Sequence, residues 1–306
     1  MLLVPDVTSE SSTPNYYFSK PKEKPKPAPG ERARTFQDRI VSGLNGTRYV
    51  VEEPLKLRLL RMMHEKDYSK QEKNPLVTVY TPTYNRAKLL MERALPSVLD
   101  QSYKNIEYVI IGDCCTDETA DLVKSVKDKR IRFYNLPKKC RGFPLDAKGR
   151  WFAGPVGPAN VALGMAKGRW IARIDDDDSF TKDHVESLLR FAQEGNHEFV
   201  SAAYKAKRQN QEYVVDVKDL VPRIGGTSTW LYRSYLKGFK YNINCWRKSW
   251  NCVNDIDLVY RLYKSGVRMC FLDKVVSYVF PRPGEQTIGL EAYKEAEDEG
   301  RKTHSG

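Results

Sequence analysis

The sequence predicts an α/β fold built on a mainly parallel sheet with helices on both faces, plus an N-terminal extension. Two observations carry that prediction. Short apolar β-type runs alternate with stretches of helical spacing between residues 75 and 200, and strands alternating with helices imply right-handed βαβ crossovers. Polar constellations at Pro82 to Asn85, at Asp113 and at Asp175 to Asp178 each follow such a run directly. They therefore fall at carboxyl ends of strands, where open α/β sheets bind their ligands.

The first run, Leu76 to Tyr80, is halted by Thr81-Pro82-Thr83-Tyr84-Asn85, and Leu89 to Leu99 then has helical spacing. Ile106 to Ile111 reads as a second strand ended by Gly112-Asp113, followed by a helix over Thr116 to Val126 with Thr116 or Asp117 near its cap. Ile131 to Tyr134 is a third strand. A helix over Ala159 to Lys167 stops at Gly168, and a fourth strand, Trp170 to Ile174, runs into the aspartates. A further helix is expected to start near Thr181. Upstream, Leu55, Leu59, Leu60, Met62 and Met63 are spaced for an amphipathic helix between Thr35 and about Lys73, expected to pack on the main domain.

With 306 residues and 41% hydrophobic content, the chain can bury one large core or two small ones. It contains no apolar run of about 18 residues, and Met1 to Val4 is too short for a signal-peptide core, so a cytoplasmic protein is expected. The six cysteines lack the C-x₂-C spacing of zinc sites, which fits a reducing compartment. The net charge of +12 gathers in two places. Lys20 to Arg34 has six Lys or Arg, two Glu and four Pro, a composition expected to stay extended. Residues 201 to 250 hold ten Lys or Arg, three Asp or Glu and nine aromatics, a mixture suited to sugar rings, bases or polyanions.

Four consecutive aspartates repel one another unless a cation or protonation relieves them. Oxygen-only ligands favour a hard ion, Mg²⁺ or Mn²⁺, that completes its shell with water and phosphate oxygens. The alternative is an acidic turn capping the next helix. Asp113 could accept a hydrogen bond from a base N–H or a ribose hydroxyl, or form an Asx turn; Tyr84 offers a ring for a base, or simple packing. No P-loop or G-x-G-x-x-G accompanies them. In Gly225-Gly226-Thr227-Ser228-Thr229-Trp230, glycines would let the backbone approach a sugar, or form a plain turn. Trp230, Trp246 and Trp250 could line an acceptor groove or belong to a core, and Arg247 with Lys248 could bind an acceptor phosphate or form a solvated edge.

Taken in order, Val77 to Arg86, Val109 to Thr119, Pro158-Ala159-Asn160, Ala166 to Asp178 and Asn254 to Leu262 resemble family-2 glycosyltransferases of the GT-A fold, a Rossmann-like α/β architecture. The resemblance spans about residues 75–280. It implies a nucleotide-sugar-binding half at 75–200 and an acceptor half at 201–290, between a basic Pro-rich tail (1–35) with a helical extension (36–74) and a charged tail (291–306). It implies that Pro82 and Tyr84 border the base, that Asp113 contacts uracil or its equivalent, and that Asn160, Asp175 and Asp176 belong to the nucleotide-sugar site. Asp177, with Asp175, is the expected ligand of a divalent cation. Asp255 is the expected catalytic base of an inverting transfer from a nucleoside-diphosphate sugar, UDP-linked, to a hydroxyl acceptor. Gly226, Thr227, Trp230, Trp246, Arg247 and Trp250 are candidate acceptor contacts. The default acceptor is a glycan; the basic aromatic segment also admits a polyanion such as a hydroxylated DNA base, and a binding protein without activity is the remaining alternative. Two departures bear on the choice of base and nucleotide: Asn254 stands where the family usually has Glu, and Gly112-Asp113-Cys114-Cys115 replaces the common Asp-Asp-x-Ser turn; Asp257 is a substitute candidate for the base or, at the start of a helix, a dipole-facing or structural carboxylate.

Overall fold

The computed structural model describes residues 15–16, 34–69, 72–208, 211–247 and 253–281. Its scaffold is a parallel block of four strands, β1 (Val77–Thr83), β2 (Ile106–Gly112), β3 (Ile131–Asn135) and β4 (Trp170–Arg173), in the order β3-β2-β1-β4. Every residue of β1 and β2 is buried, as expected for strands covered on both faces. Side chains alternate across the pleat. Val77, Val79, Tyr108 and Ile110 pack with Leu90, Leu95 and Val98 on one face, while Tyr80, Val109 and Ile111 pack with Ala159, Ala162 and Leu163 on the other.

The first crossover runs from α2 (Ala87–Leu89) through a π turn (Leu90–Ala94) into α3 (Leu95–Leu99). The second is α4 (Thr119–Ser125); the third contains α5 (Ala147–Ala153) and α6 (Val156–Met165). Gly168 is needed where the chain turns from α6 into β4, because a Cβ there would lie 2.4 Å from the Thr78 backbone nitrogen.

Beyond β4 the sheet changes character. A short strand β5 (Asp178–Phe180) follows the aspartates, and α7 (His184–Glu194) starts just beyond the expected Thr181, after Asp183. The strands β6 (Phe199–Arg208), β7 (Gln211–Val215), β8 (Leu231–Arg233) and β9 (Met269–Val279) complete the order β3-β2-β1-β4-β8-β6-β9-β5, with β7 on β6, a nine-stranded sheet. Here β8 is antiparallel to both β4 and β6, β7 to β6 and β5 to β9; only β6 and β9 are parallel. The parallel character thus belongs to the first four strands. The hairpin of β6 and β7 needs no helical crossover, so its sequence carries none of the alternation that marks the parallel block. Between β8 and β9, α8 (Asn254–Ser265) ends at Gly266 in a left-handed cap (φ 88°).

Helix α1 (Phe36–Ser69) lies along α8. Leu57 enters the core, and buried ions clamp the rest. Arg261 of α8 pairs with Glu53 of α1 and with Asp257 one turn back (2.9 Å). Arg61 makes a two-pronged contact with the buried Glu198 (2.7 and 2.6 Å), and Arg247 pairs with Asp38. Among the described residues no helix is long and apolar enough to cross a membrane.

Candidate active site

Pro82 and Thr83 end β1, Asp113 follows β2, and Asp175 to Asp178 follow β4. All of them, with Tyr84 and the Asp255 side of α8, line one cavity of about 370 Å³, within the usual range for small-molecule sites. The four aspartates do not point at a common centre. Asp175 accepts from Arg173 (2.9 and 2.8 Å) and from Thr227 Oγ1 (3.0 Å). Asp176 accepts from Thr83 Oγ1 (2.7 Å) and Arg86 (2.9 Å), and the same Arg86 nitrogen reaches Asp177 at 3.2 Å. Asp178 takes the Ser228 hydroxyl.

Burial pushes the Asp176 carboxyl above its ordinary value against the pull of Arg86. Asp178 is raised well above, by burial and then by Asp177 and Asp175. Two arginines offset the repulsion within the run, Arg173 on Asp175 and Arg86 on Asp176 and Asp177. Asp175 and Asp177 are the less buried pair and face the cavity. Their oxygen-only chemistry suits a hard cation that takes few protein ligands, although no three His, Cys, Asp or Glu side chains converge as a ready cage among the described residues. The donor set fits such an ion.

At the neighbouring strand end, Asp113 is buried and accepts from the Cys140 backbone N–H (2.8 Å). Burial raises its carboxyl, with that hydrogen bond, Lys139 and Arg141 opposing. The Tyr84 ring is 42% exposed, and the Lys139 ammonium lies 3.5 Å from its centre. Across the cavity, Asp255 sits in the first turn of α8. Burial raises its carboxyl; the buried Arg173 beneath it works in the opposite direction. Asp257 is fully buried against Arg261 and does not line the cavity, so its place is structural.

Several expected contacts lie elsewhere. Asn160 does not reach the cavity: its amide is committed to Tyr241, giving Nδ2–H to the carbonyl (3.0 Å) and accepting the backbone N–H (2.9 Å). Trp230 is a core residue, 2% exposed, with its indole N–H on the Gly225 carbonyl. Trp246 gives its indole N–H to Gly142, outside the cavity lining, and Arg247 stacks on it at 4.2 Å while pairing with Asp38. Trp250 and Lys248 lie outside the described residues. Gly226 and Thr227 do line the cavity; Gly225 is required by a different neighbour, since a Cβ there would stand 2.2 Å from the Ala202 carbonyl. Six of the nine aromatics of 201–250, including Tyr232, Tyr235 and Phe239, are buried in the core.

Residues missed by sequence reasoning complete the site. Arg86 and Arg173 neutralise the aspartate run, and Phe143, Arg150, Trp151 and Tyr213 form much of the remaining wall. Arg173 had a legible signal, a cation inside the apolar strand Trp170-Ile171-Ala172-Arg173-Ile174, which a buried anion must answer. The wall from 143 to 158 had none.

With the fold and the cavity at its strand ends described, comparison with known proteins gives the family. The family described as glycosyl transferase family 2 matches residues 78–144 and 148–252. That is more than half of the chain, and the chain belongs to this family. Among curated relatives, the putative teichuronic acid biosynthesis glycosyltransferase TuaG of Bacillus subtilis is 35% identical over 44% of this chain and 49% of its own length. The Escherichia coli UDP-Glc:alpha-D-GlcNAc-diphosphoundecaprenol beta-1,3-glucosyltransferase WfaP is 34% identical over 38% and 41%. The chain spans less than half the length of these relatives. Of solved structures, S. aureus TarS 1-349 in complex with UDP-GlcNAc superposes with a TM-score of 0.55 at 23% identity, covering 69% of this chain and 60% of that TarS fragment. The mannosyltransferase PcManGT of Pyrobaculum calidifontis, in complex with GDP-Man and Mn²⁺, gives 0.52 at 17% identity over 81% and 70%. These likenesses show the shared GT-A fold.

Proposed function

We propose that this chain transfers a sugar from a nucleoside-diphosphate donor, UDP-linked, to a hydroxyl of a glycan with inversion at the anomeric carbon. One observation carries the reading: Asp255 lines the same cavity as the strand-end residues Tyr84, Asp113, Asp175 and Asp177. Tyr84 and Pro82 would border the base and Asp113 would accept its ring N–H. Asp255 would take the proton of the acceptor hydroxyl as that oxygen attacks the anomeric carbon, while the bond to the diphosphate breaks and its electron pair leaves with the diphosphate. The raised basicity of Asp255 suits this role, and Arg173 favours its ionised form. Asp177 and Asp175 would hold Mn²⁺ or Mg²⁺, which when bound offsets the charge gathering on the departing group. Gly226 and Thr227 would meet the acceptor. A hydroxylated DNA base draws less support, because six of the nine aromatics of 201–250 are buried and, of the described ones, just Tyr204 and Tyr213 line the cavity.

The test is acceptor-dependent release of nucleoside diphosphate from UDP-glucose, UDP-GlcNAc and GDP-mannose, with Mn²⁺ and with chelator, and the anomeric configuration of the product read by NMR. Asp255→Asn should lower turnover by about 10²–10⁴-fold. Unchanged turnover in that variant, or a retained configuration, would remove Asp255 from the role of base.

A further inference from the structure

One side of α1 is docked on the protein through Asp38, Glu53, Leu57 and Arg61. The opposite side carries apolar residues that are largely exposed among the described residues. Leu44, Val51, Leu55 and Leu59 are 67%, 59%, 59% and 59% exposed, and Met62 is 72% exposed. Spacings of seven, four, four and three place them on one stripe, which Phe36 and Ile40 (77% and 45% exposed) extend toward the N-terminus. Solvent normally meets single apolar side chains; a stripe along a helix about 50 Å long marks an interaction surface.

Charge selects the occupant. Beside the stripe, α1 exposes Arg39, Arg48, Arg58 and Lys66 against Glu52 and Asp67; Arg48 and Glu52 pair with each other, and Lys56 is held by the Gly238 carbonyl on the docked side. A second copy laid along this face would bring cation to cation. An anionic bilayer would meet both components, as amphipathic helices with basic flanks do when they lie in the headgroup region. The basic stretch Lys20 to Arg34 immediately precedes the helix and adds charge of the same sign. The placement also suits the cavity: Asp38 pairs with Arg247 and Glu53 with Arg261, so α1 runs in the same direction as α8 and its Phe36 end lies toward the end where α8 carries Asp255.

We infer that the outer face of α1 docks on an anionic lipid surface, with Leu44, Val51, Leu55, Leu59 and Met62 entering the interface and the flanking cations contacting headgroups. This is independent of the donor chemistry and is tested without it. The full chain is floated with vesicles of phosphatidylcholine alone and of phosphatidylcholine with phosphatidylglycerol, at about 0.1 M and 0.5 M salt. Binding is expected only to the anionic vesicles, weakened by salt, and reduced about tenfold or more in Leu55→Glu/Leu59→Glu. The thermal transition of that variant should stay near wild type, because both side chains point away from the docked face. Absence of binding to anionic vesicles, equal binding by the double variant, or a dimer by light scattering that the double variant dissolves into monomers would each overturn the inference, the last in favour of a second copy.

Discussion

The two walls of the cavity are built from different material. The proposed donor wall consists of strand ends: Pro82 to Tyr84, Asp113 and the Asp175 to Asp178 run each project from a parallel strand buried on both faces. The proposed acceptor wall is assembled from a 3₁₀ turn (Thr227–Thr229), the segment around Phe143 to Pro158 and the first turn of α8. Strand ends are fixed by the sheet itself. The acceptor wall depends on distant supports, among them the ion clamp between α1 and α8. The donor wall should therefore tolerate loss of the N-terminal helix contacts better than the acceptor wall does.

That difference can be broken first at Arg261. Arg261→Met strands Glu53 and Asp257, both buried, and should cost about 3–5 kcal/mol of stability by chemical denaturation. In the surviving folded fraction donor affinity should change less than acceptor KM; equal loss of both would mean that the walls are one unit. Next in size is Tyr84→Ala. Removing the face offered to the base should weaken donor binding by about 1–3 kcal/mol, by analogy with base stacking on aromatic side chains, and leave acceptor KM unchanged. Calorimetric titration with UDP in both proteins checks it.

A smaller effect joins the walls. Because the Asp255 carboxyl is raised, the base is lost as pH falls through that elevated value, so kcat/KM should decline on the acid side at a pH above the ordinary aspartate range. Arg173→Met removes the cation that opposes the shift and should move the acid limb to higher pH. An unmoved limb would assign it to another group.

The same contrast explains what was legible in the sequence. Each donor-wall element stands next to a run of apolar residues whose length and β-branched content mark a strand, so Asp113 and the aspartates could be placed by counting from Ile106 and Trp170. Trp230 could not: an indole in a basic, aromatic segment looks the same whether it faces a sugar or, as here, closes over Phe199 in the core with its N–H on Gly225. Asn160 was misplaced for a related reason. Its motif is carried on α6, but the amide is spent fixing the Tyr241 loop through two backbone hydrogen bonds, a pairing 81 residues apart that no local pattern records. Arg247 likewise answers Asp38, 209 residues away. The start of α7 lies beyond Thr181 because Thr181 continues the pairing of β5 with β9, giving both its N–H and its hydroxyl to the Val276 carbonyl (3.0 and 3.2 Å), a tertiary contact that overrides the local signal.

The measurement closest to the central claim is donor affinity, by titration calorimetry with the matching nucleotide sugar and Mn²⁺, in Asp177→Ala and Asp255→Asn side by side. If one cavity holds a donor wall and a separate base, Asp177→Ala should lose donor binding and its metal dependence, while Asp255→Asn binds the donor as the wild type does and fails only in turnover. Equal loss of donor affinity in the two variants would contradict that division of the cavity.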